Sequence, residues 1–314
     1  MGRNADDTVI IRPPRARRPI LPFVFVAILV VAAGAGGAAW LRLAPLPSPT
    51  PTIPTATEAE LRVASPATRT VARFAPNPAI VVMDFPTLAE QGQMLNRMAA
   101  FEERAGLPHD RLLTDAELDA AILASGVTPE TYYFGHDYRA AEIARFFALA
   151  DQGHVALNPQ ELELRDLAAK IAAEPLGFGA LITLTRADAA NQVDASSRAV
   201  ILHHELSHGE YFTNAVYSGF VKAVWETVLT EPERASFRSY LATEGYDTAL
   251  EDLMMNETQA YLLHTPDPRF FDPSRLRITP ARLAEIKDSF VAAMPSCWLR
   301  DETAAPPTPM AARY

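Results

Sequence analysis

Cysteine is almost missing from these 314 residues: Cys297 stands alone. An intramolecular disulfide and a cysteine-built metal cluster are both excluded, and Cys297 reads as a partly buried structural thiol, since no neighbouring histidine suits it for nucleophilic work. Positive charge is also scarce, with 28 Lys and Arg against 38 Asp and Glu and a net charge of −10. That balance gives no reason to expect a nucleic-acid partner. Internal repeats are absent, and long apolar runs are absent but for one.

That run covers residues 20–40, ILPFVFVAILVVAAGAGGAAW, without a charge. At ~1.5 Å rise per residue a helix of this length spans about 31 Å, the thickness of a bilayer's hydrocarbon core. Arg12, Arg15, Arg17 and Arg18 precede it and only Arg42 follows closely. The imbalance predicts a cell-membrane, single-pass anchor with residues 1–19 as a cytoplasmic basic segment and the rest of the chain extracytoplasmic, periplasmic if the source is a Gram-negative bacterium. A cleavable signal peptide, cut near Ala33 or Ala39, is the rival reading, but the apolar run exceeds the ~7–15 residues of a usual signal core. Residues 41–70 are rich in Pro, Thr, Ala and Ser and read as an extended linker. A globular domain is expected over 71–300 and a disordered Pro/Ala-rich tail over 301–314.

Within 71–300 the pattern predicts short strands at 79–83 and 179–185, the second reading GALITLT. Helices are expected at 87–104, from Thr114 to Ala124 behind a capping box, and at 138–151, 159–173, 195–211, 215–228, 232–243 and 248–264. Thr248 and Glu251 stand in capping-box register, and Pro266 and Pro268 end the last of these helices. The fold class is α+β, mostly helical.

His204-Glu205-Leu206-Ser207-His208 fits H-E-x-x-H. Positions four apart share one helical face, so both imidazoles reach a single ion, and zinc favours such nitrogen donors. Glu205 lies beside the first imidazole, where its carboxylate can take a proton from a zinc-activated water. A catalytic zinc keeps three protein ligands and one open position. The third is sought in Met255-Asn256-Glu257-Thr258, where Glu257 shares a stripe with Leu250 and Met254 and a buried carboxylate needs a counter-charge. Glu210 ranks second; two residues past His208, it faces away unless the helix unwinds at Gly209.

His204-Glu205-x-x-His208 followed by Asn256-Glu257-x-x-Ala260, 49 residues beyond His208, resembles the gluzincin zinc metallopeptidases. The resemblance covers these two helices alone. It implies a zincin-like catalytic domain, Zn2+ held by His204, His208 and Glu257, Glu205 as general base, and 179–185 as the edge strand that pairs with an extended peptide. Thermolysin-like members carry an acid where Tyr261 stands, so the group orienting the ligand histidines is unassigned, with Asp252 and Asp247 as substitutes. A metzincin pattern fails at Tyr211 and Asn214. Tyr211, Tyr246, Tyr261, His264 and His136 all remain open as oxyanion-stabilising groups, and His109 and His154 have no argued role.

The expectation is a membrane-anchored peptidase acting on a protein or peptide of the cell envelope. The alternatives are a non-catalytic zinc-binding envelope protein, a metal-free tethered scaffold, and a zincin-type hydrolase of a non-peptide amide.

Overall fold

The computed structural model describes residues 53–300. Among them no helix is long and apolar enough to cross a membrane. The basic segment 1–19, the apolar run 20–40 and the tail 301–314 lie outside the described residues.

The fold is α+β, built on one mixed sheet. Its strands are β1 (Thr55–Ala56), β2 (Thr70–Phe74), β3 (Ile80–Phe85), β4 (His136–Arg139) and β5 (Ala180–Thr185), in spatial order β1-β2-β3-β5-β4. β1 runs parallel to β2 and β3 parallel to β5, while β2–β3 and β4–β5 are antiparallel. Every residue of β3 and β5 is buried. Their continuous apolar character follows from burial on both faces, which removes the need for alternation.

On one face, Val81, Met83, Phe85 and Leu181 pack with Met94, Leu95 and Phe101 of α2 (Leu88–Glu102), and with residues of α4 (Ala140–Gln152) and α5 (Pro159–Ala172). The other face sets Ile80, Val82, Ile182 and Leu184 against Leu202 and Leu206 of α6 (Ala195–Thr213). A separate cluster joins the far end of α6 to α7 (Ala215–Thr227), α8 (Glu231–Glu244), α9 (Glu251–His264) and α10 (Pro280–Ala293), around Tyr217, Trp225, Phe237, Met254 and Phe290. α6 therefore belongs to both cores. It stays helical through Gly209, because a Cβ there would sit 2.9 Å from Ile80 Cδ1. Glycine serves close approach of helix to strand, and the helix does not unwind.

Several boundaries differ from expectation. The linker expected to reach Thr70 enters the fold at Ile53: Thr57 caps α1 (Glu58–Val63) through a capping box, and Glu58 accepts from His203 of α6 at 3.1 Å. β4 stands where a helix was expected to begin, because His-Asp-Tyr-Arg has no β-branched residue to announce a strand. β5 is interior, flanked by β3 and β4, so 179–185 is not an edge strand; among the described residues the outer strands are β1 and β4, and β4 is the one beside β5. α3 (Asp115–Ala124) has the expected capping box at Thr114. α9 does not have one: it starts at Glu251, whose carboxylate takes the indole N–H of Trp225 at 2.7 Å instead.

Arg198 pins α6 to the sheet. Its guanidinium meets both carboxylate oxygens of Asp84 at 2.9 and 2.6 Å and donates to the carbonyls of Thr185 and Leu61 at 2.7 and 2.6 Å. Both side chains are buried, so removing one partner leaves a charge without compensation. Arg198→Met is expected to cost about 3–5 kcal/mol in urea unfolding, and Asp84→Leu added to it is expected to restore part of that loss.

Candidate metal centre

α6 and α9 cross beside the sheet, each with a polar turn where the other helix would otherwise present core residues. From α6, His204 and His208 lie one turn apart with their Nε2 atoms separated by 3.0 Å. From α9, Glu257 brings Oε2 to 3.8 Å from His204 Nε2 and Oε1 to 3.6 Å from His208 Nε2. Donors about 2.0–2.1 Å from one tetrahedral ion lie roughly 3.3 Å from each other. The three separations bracket that value, so one cation fits among these atoms without rearrangement of the helices.

Local hydrogen bonds favour that use. Thr265, just past the end of α9, gives its hydroxyl proton to the Ala260 carbonyl at 2.9 Å, so its oxygen accepts from His204 Nδ1–H at 2.8 Å. The Nδ1–H tautomer leaves the His204 Nε2 lone pair directed at the other donors. The ring of Tyr261 packs edge-on against His204 with centroids 4.9 Å apart. The Tyr246 hydroxyl lies near enough to the Glu257 carboxylate to pull its pKa down. Glu257 Oε2 is buried with no hydrogen-bond partner among the described residues. An orphaned carboxylate oxygen in the interior is costly unless a cation meets it.

Electrostatics agree. Burial raises the Glu257 carboxyl to about 7, against the pull of the His208 charge. Burial also drives His204 well below its ordinary value, and the neighbouring His208 and His203 add to that. For His208, burial works against the charged ring but the carboxylates of Asp137 and Glu257 prevail and raise its pKa.

Glu205 faces a cavity of about 500 Å³ lined also by Tyr133, Gly135, His204, Tyr246 and Tyr261. Its carboxylate lies against the backbone of Gly135: a Cβ at that position would overlap Glu205 Oε1. Burial, then the charge of Asp137, pushes the Glu205 carboxyl well up.

Asp137 is the residue that sequence reasoning missed. It stands beside Glu205, whose carboxyl its charge helps to raise, and places Oδ2 3.8 Å from His208 Nε2. Asp137, Glu205 and His208 form a second close group, distinct from His204, His208 and Glu257 and sharing only His208 with it. The alternation of β4 was the available signal: His136 and Tyr138 are buried, with Tyr138 in the α2-side core, which turns Asp137 toward α6.

The other candidates are engaged elsewhere. Glu210 accepts from Asn77, Asn214 and Trp298 at 2.7, 2.7 and 2.8 Å, so it braces the end of α6 and is no ligand. Asp252 binds Tyr211, Arg139 and Lys222, and Asp247 binds His109; neither orients a site histidine. His264 contacts Tyr217 and His203, and His136 contacts Tyr138. Of the five groups left open as oxyanion stabilisers, Tyr246 and Tyr261 line the cavity. Cys297 is half-buried at the edge of the helical core, as expected.

Compared with protein-family models, curated proteins and solved structures, the chain matches none.

Because the Glu257 carboxyl is raised to about 7, it carries a proton at pH 6 that an entering cation must displace. Affinity of these residues for an added divalent cation is expected to weaken as pH falls below 7, by about tenfold or more per unit. Chelator competition between pH 5.5 and 8 reads this; a flat profile would remove Glu257 from the ligand set.

Proposed function

We propose that the chain is a zinc-dependent peptidase, with His204, His208 and Glu257 holding the cation and Glu205 serving as general base. The observation that carries this reading is the convergence of both α6 imidazoles and the unpartnered Oε2 of Glu257 on one spot beside a cavity that the Glu205 carboxylate faces. When bound, the cation supplies Lewis acidity to the scissile carbonyl and lowers the pKa of a water. Glu205 accepts that water's proton as the oxygen bonds to the carbonyl carbon. As the C–N bond breaks, Glu205 passes the proton to the departing amine. Gly135 sets where the carboxylate stands, and Tyr246 and Tyr261 are the hydroxyls available to the developing oxyanion. An extended substrate would meet β4, the outer strand beside the site. The similarity to gluzincins supports the same reading. The Arg-flanked run 20–40 adds a single-pass anchor that delivers the peptidase to envelope proteins or peptides.

One observation favours a second reading. Asp137 stands near enough to His208 to suggest a fourth protein ligand, which would make the centre structural. Against it, Asp137 does not group with His204 and Glu257.

Metal analysis and peptide hydrolysis of the purified chain separate these readings. Wild type and Glu205→Gln are expected to carry about one zinc per chain and His204→Ala none, with hydrolysis falling about 10²–10⁴-fold in Glu205→Gln. Full zinc with undiminished turnover in that variant would remove the base assignment. Gly135→Ala displaces the Glu205 carboxylate and is expected to keep its zinc while losing activity about tenfold or more. Wild-type turnover in this variant would show that the contact has no bearing on the reaction.

A further inference from the structure

Glu103 follows the last residue of α2 and is only 7 % exposed. Its carboxylate has no hydrogen-bond or ion-pair partner among the described residues. The acids around it are Asp137, Glu257, Glu102 and Glu142. It also stands at the negative end of the α2 dipole, where a cation is favoured and an anion opposed. No part of the fold requires this carboxylate. The local structure rests on the backbone: the Glu103 carbonyl accepts from Asp247 N–H at 2.8 Å, and Arg104 forms a β-bridge with Tyr246.

The side chain lines a cavity of about 250 Å³ whose wall includes Asp137 and Asn256, the neighbours of His208 and Glu257. Five acids line it, Glu102, Glu103, Asp137, Glu142 and Asp252, against Arg139, Arg145 and His109, the last engaged with Asp247 at 3.1 Å. Both arginines are committed. Arg139 bonds Glu142 at 2.8 Å and Asp252 at 2.7 Å, and Arg145 pairs with Glu102 at 3.5 Å. Glu103 and Asp137 are therefore left without a counter-charge, facing this cavity beside His208. Glu103 joins neither cluster of metal-spaced donors, so a second metal ion is not what the cavity is shaped for.

We propose that this cavity receives a cationic nitrogen group of the substrate, an ammonium or guanidinium, with Glu103 as its counter-charge and the specificity-determining residue. This rests on the peptidase reading. The cationic group is either a Lys or Arg side chain near the scissile bond or the peptide's own α-ammonium. A carboxylate that meets no partner in the free protein acquires one when such a substrate binds, so its desolvation cost is offset only in the complex.

The test uses the zinc-loaded full-length chain and quenched peptides of one length. One series is N-acetylated and carries Lys or Arg, or the neutral norleucine or citrulline, at each position around the bond. The other has a free amine and no side-chain cation. The better cationic series is expected to exceed its neutral isostere in kcat/KM by about tenfold to a hundredfold, and the winning series identifies the source of the charge. In Glu103→Gln the ratio is expected to fall to about one. An unchanged ratio in that variant, or none in wild type, overturns the proposal while leaving the peptidase reading intact. Peptide binding to Glu205→Gln, with and without Glu103→Gln, separates the two claims. Glu103-dependent binding of cationic peptides by a chain that hydrolyses nothing would uphold the cavity assignment and end the peptidase reading. No binding and no hydrolysis would end both. Glu103→Gln is also expected to leave Tm without peptide undiminished, because the carboxyl has no partner to lose; a lower Tm would assign Glu103 to the fold and count against the proposal.

Discussion

Too many carboxyl groups meet in one small region. Glu103, Asp137, Glu205 and Glu257 are neighbours in the interior, and each is pushed by burial toward its neutral form. The nearby protein cations are drawn off: Arg139 and Arg145 face other acids, and Arg104, beside the Glu205 cavity, donates to the Glu244 carbonyl. Protons or a cation from outside the chain must neutralise this concentration. A divalent ion between His204, His208 and Glu257 answers part of the demand, and a positively charged substrate group beside Glu103 answers more. The two proposals are thus linked by one electrostatic deficit.

That deficit is held in place by a framework that is apolar and over-determined. α6 shares its side chains between the sheet core and the helical core, so the two histidines ride on an element buried along most of its length. Gly209 brings its axis close to β3, and Arg198 ties its first turns to Asp84 and to the Leu61 carbonyl of α1. At the far end, Glu210 gathers Asn77, Asn214 and Trp298. Motion of His204 relative to Glu257 would have to break one of these anchors. Thr265 then fixes the ring of His204.

The parts legible in sequence were those with a local physical signature. The spacing of four between histidines, the β-branched run of β5, the Thr114 capping box and the prolines after His264 all speak through near neighbours in the chain. Glu257 was legible because a carboxylate on a stripe with Leu250 and Met254 demands an explanation. What was not legible depends on contacts between distant segments. The polar strand β4 exists because β5 offers it a hydrogen-bonding edge, and Asp137 matters only through where that pairing places it. β5 is interior for the same reason. Residues 53–70 looked like linker by composition, yet Glu58 and Leu61 are recruited by His203 and Arg198, more than a hundred residues away. Thr265 carries no signal beyond its place after a helix end. Glu103 resembled any acidic surface residue until its isolation could be seen.

β4 also bears on how easily such a site changes its chemistry. Successive side chains of a strand point to opposite faces, so a slip of one residue against β5 would turn Asp137 away from α6. The group beside His208, carboxylate or imidazole, is set by the pairing register of four residues rather than by the helices that carry His204, His208 and Glu257. A single residue inserted between Tyr133 and His136 would bring the His136 ring to where Asp137 now stands without any substitution on those helices.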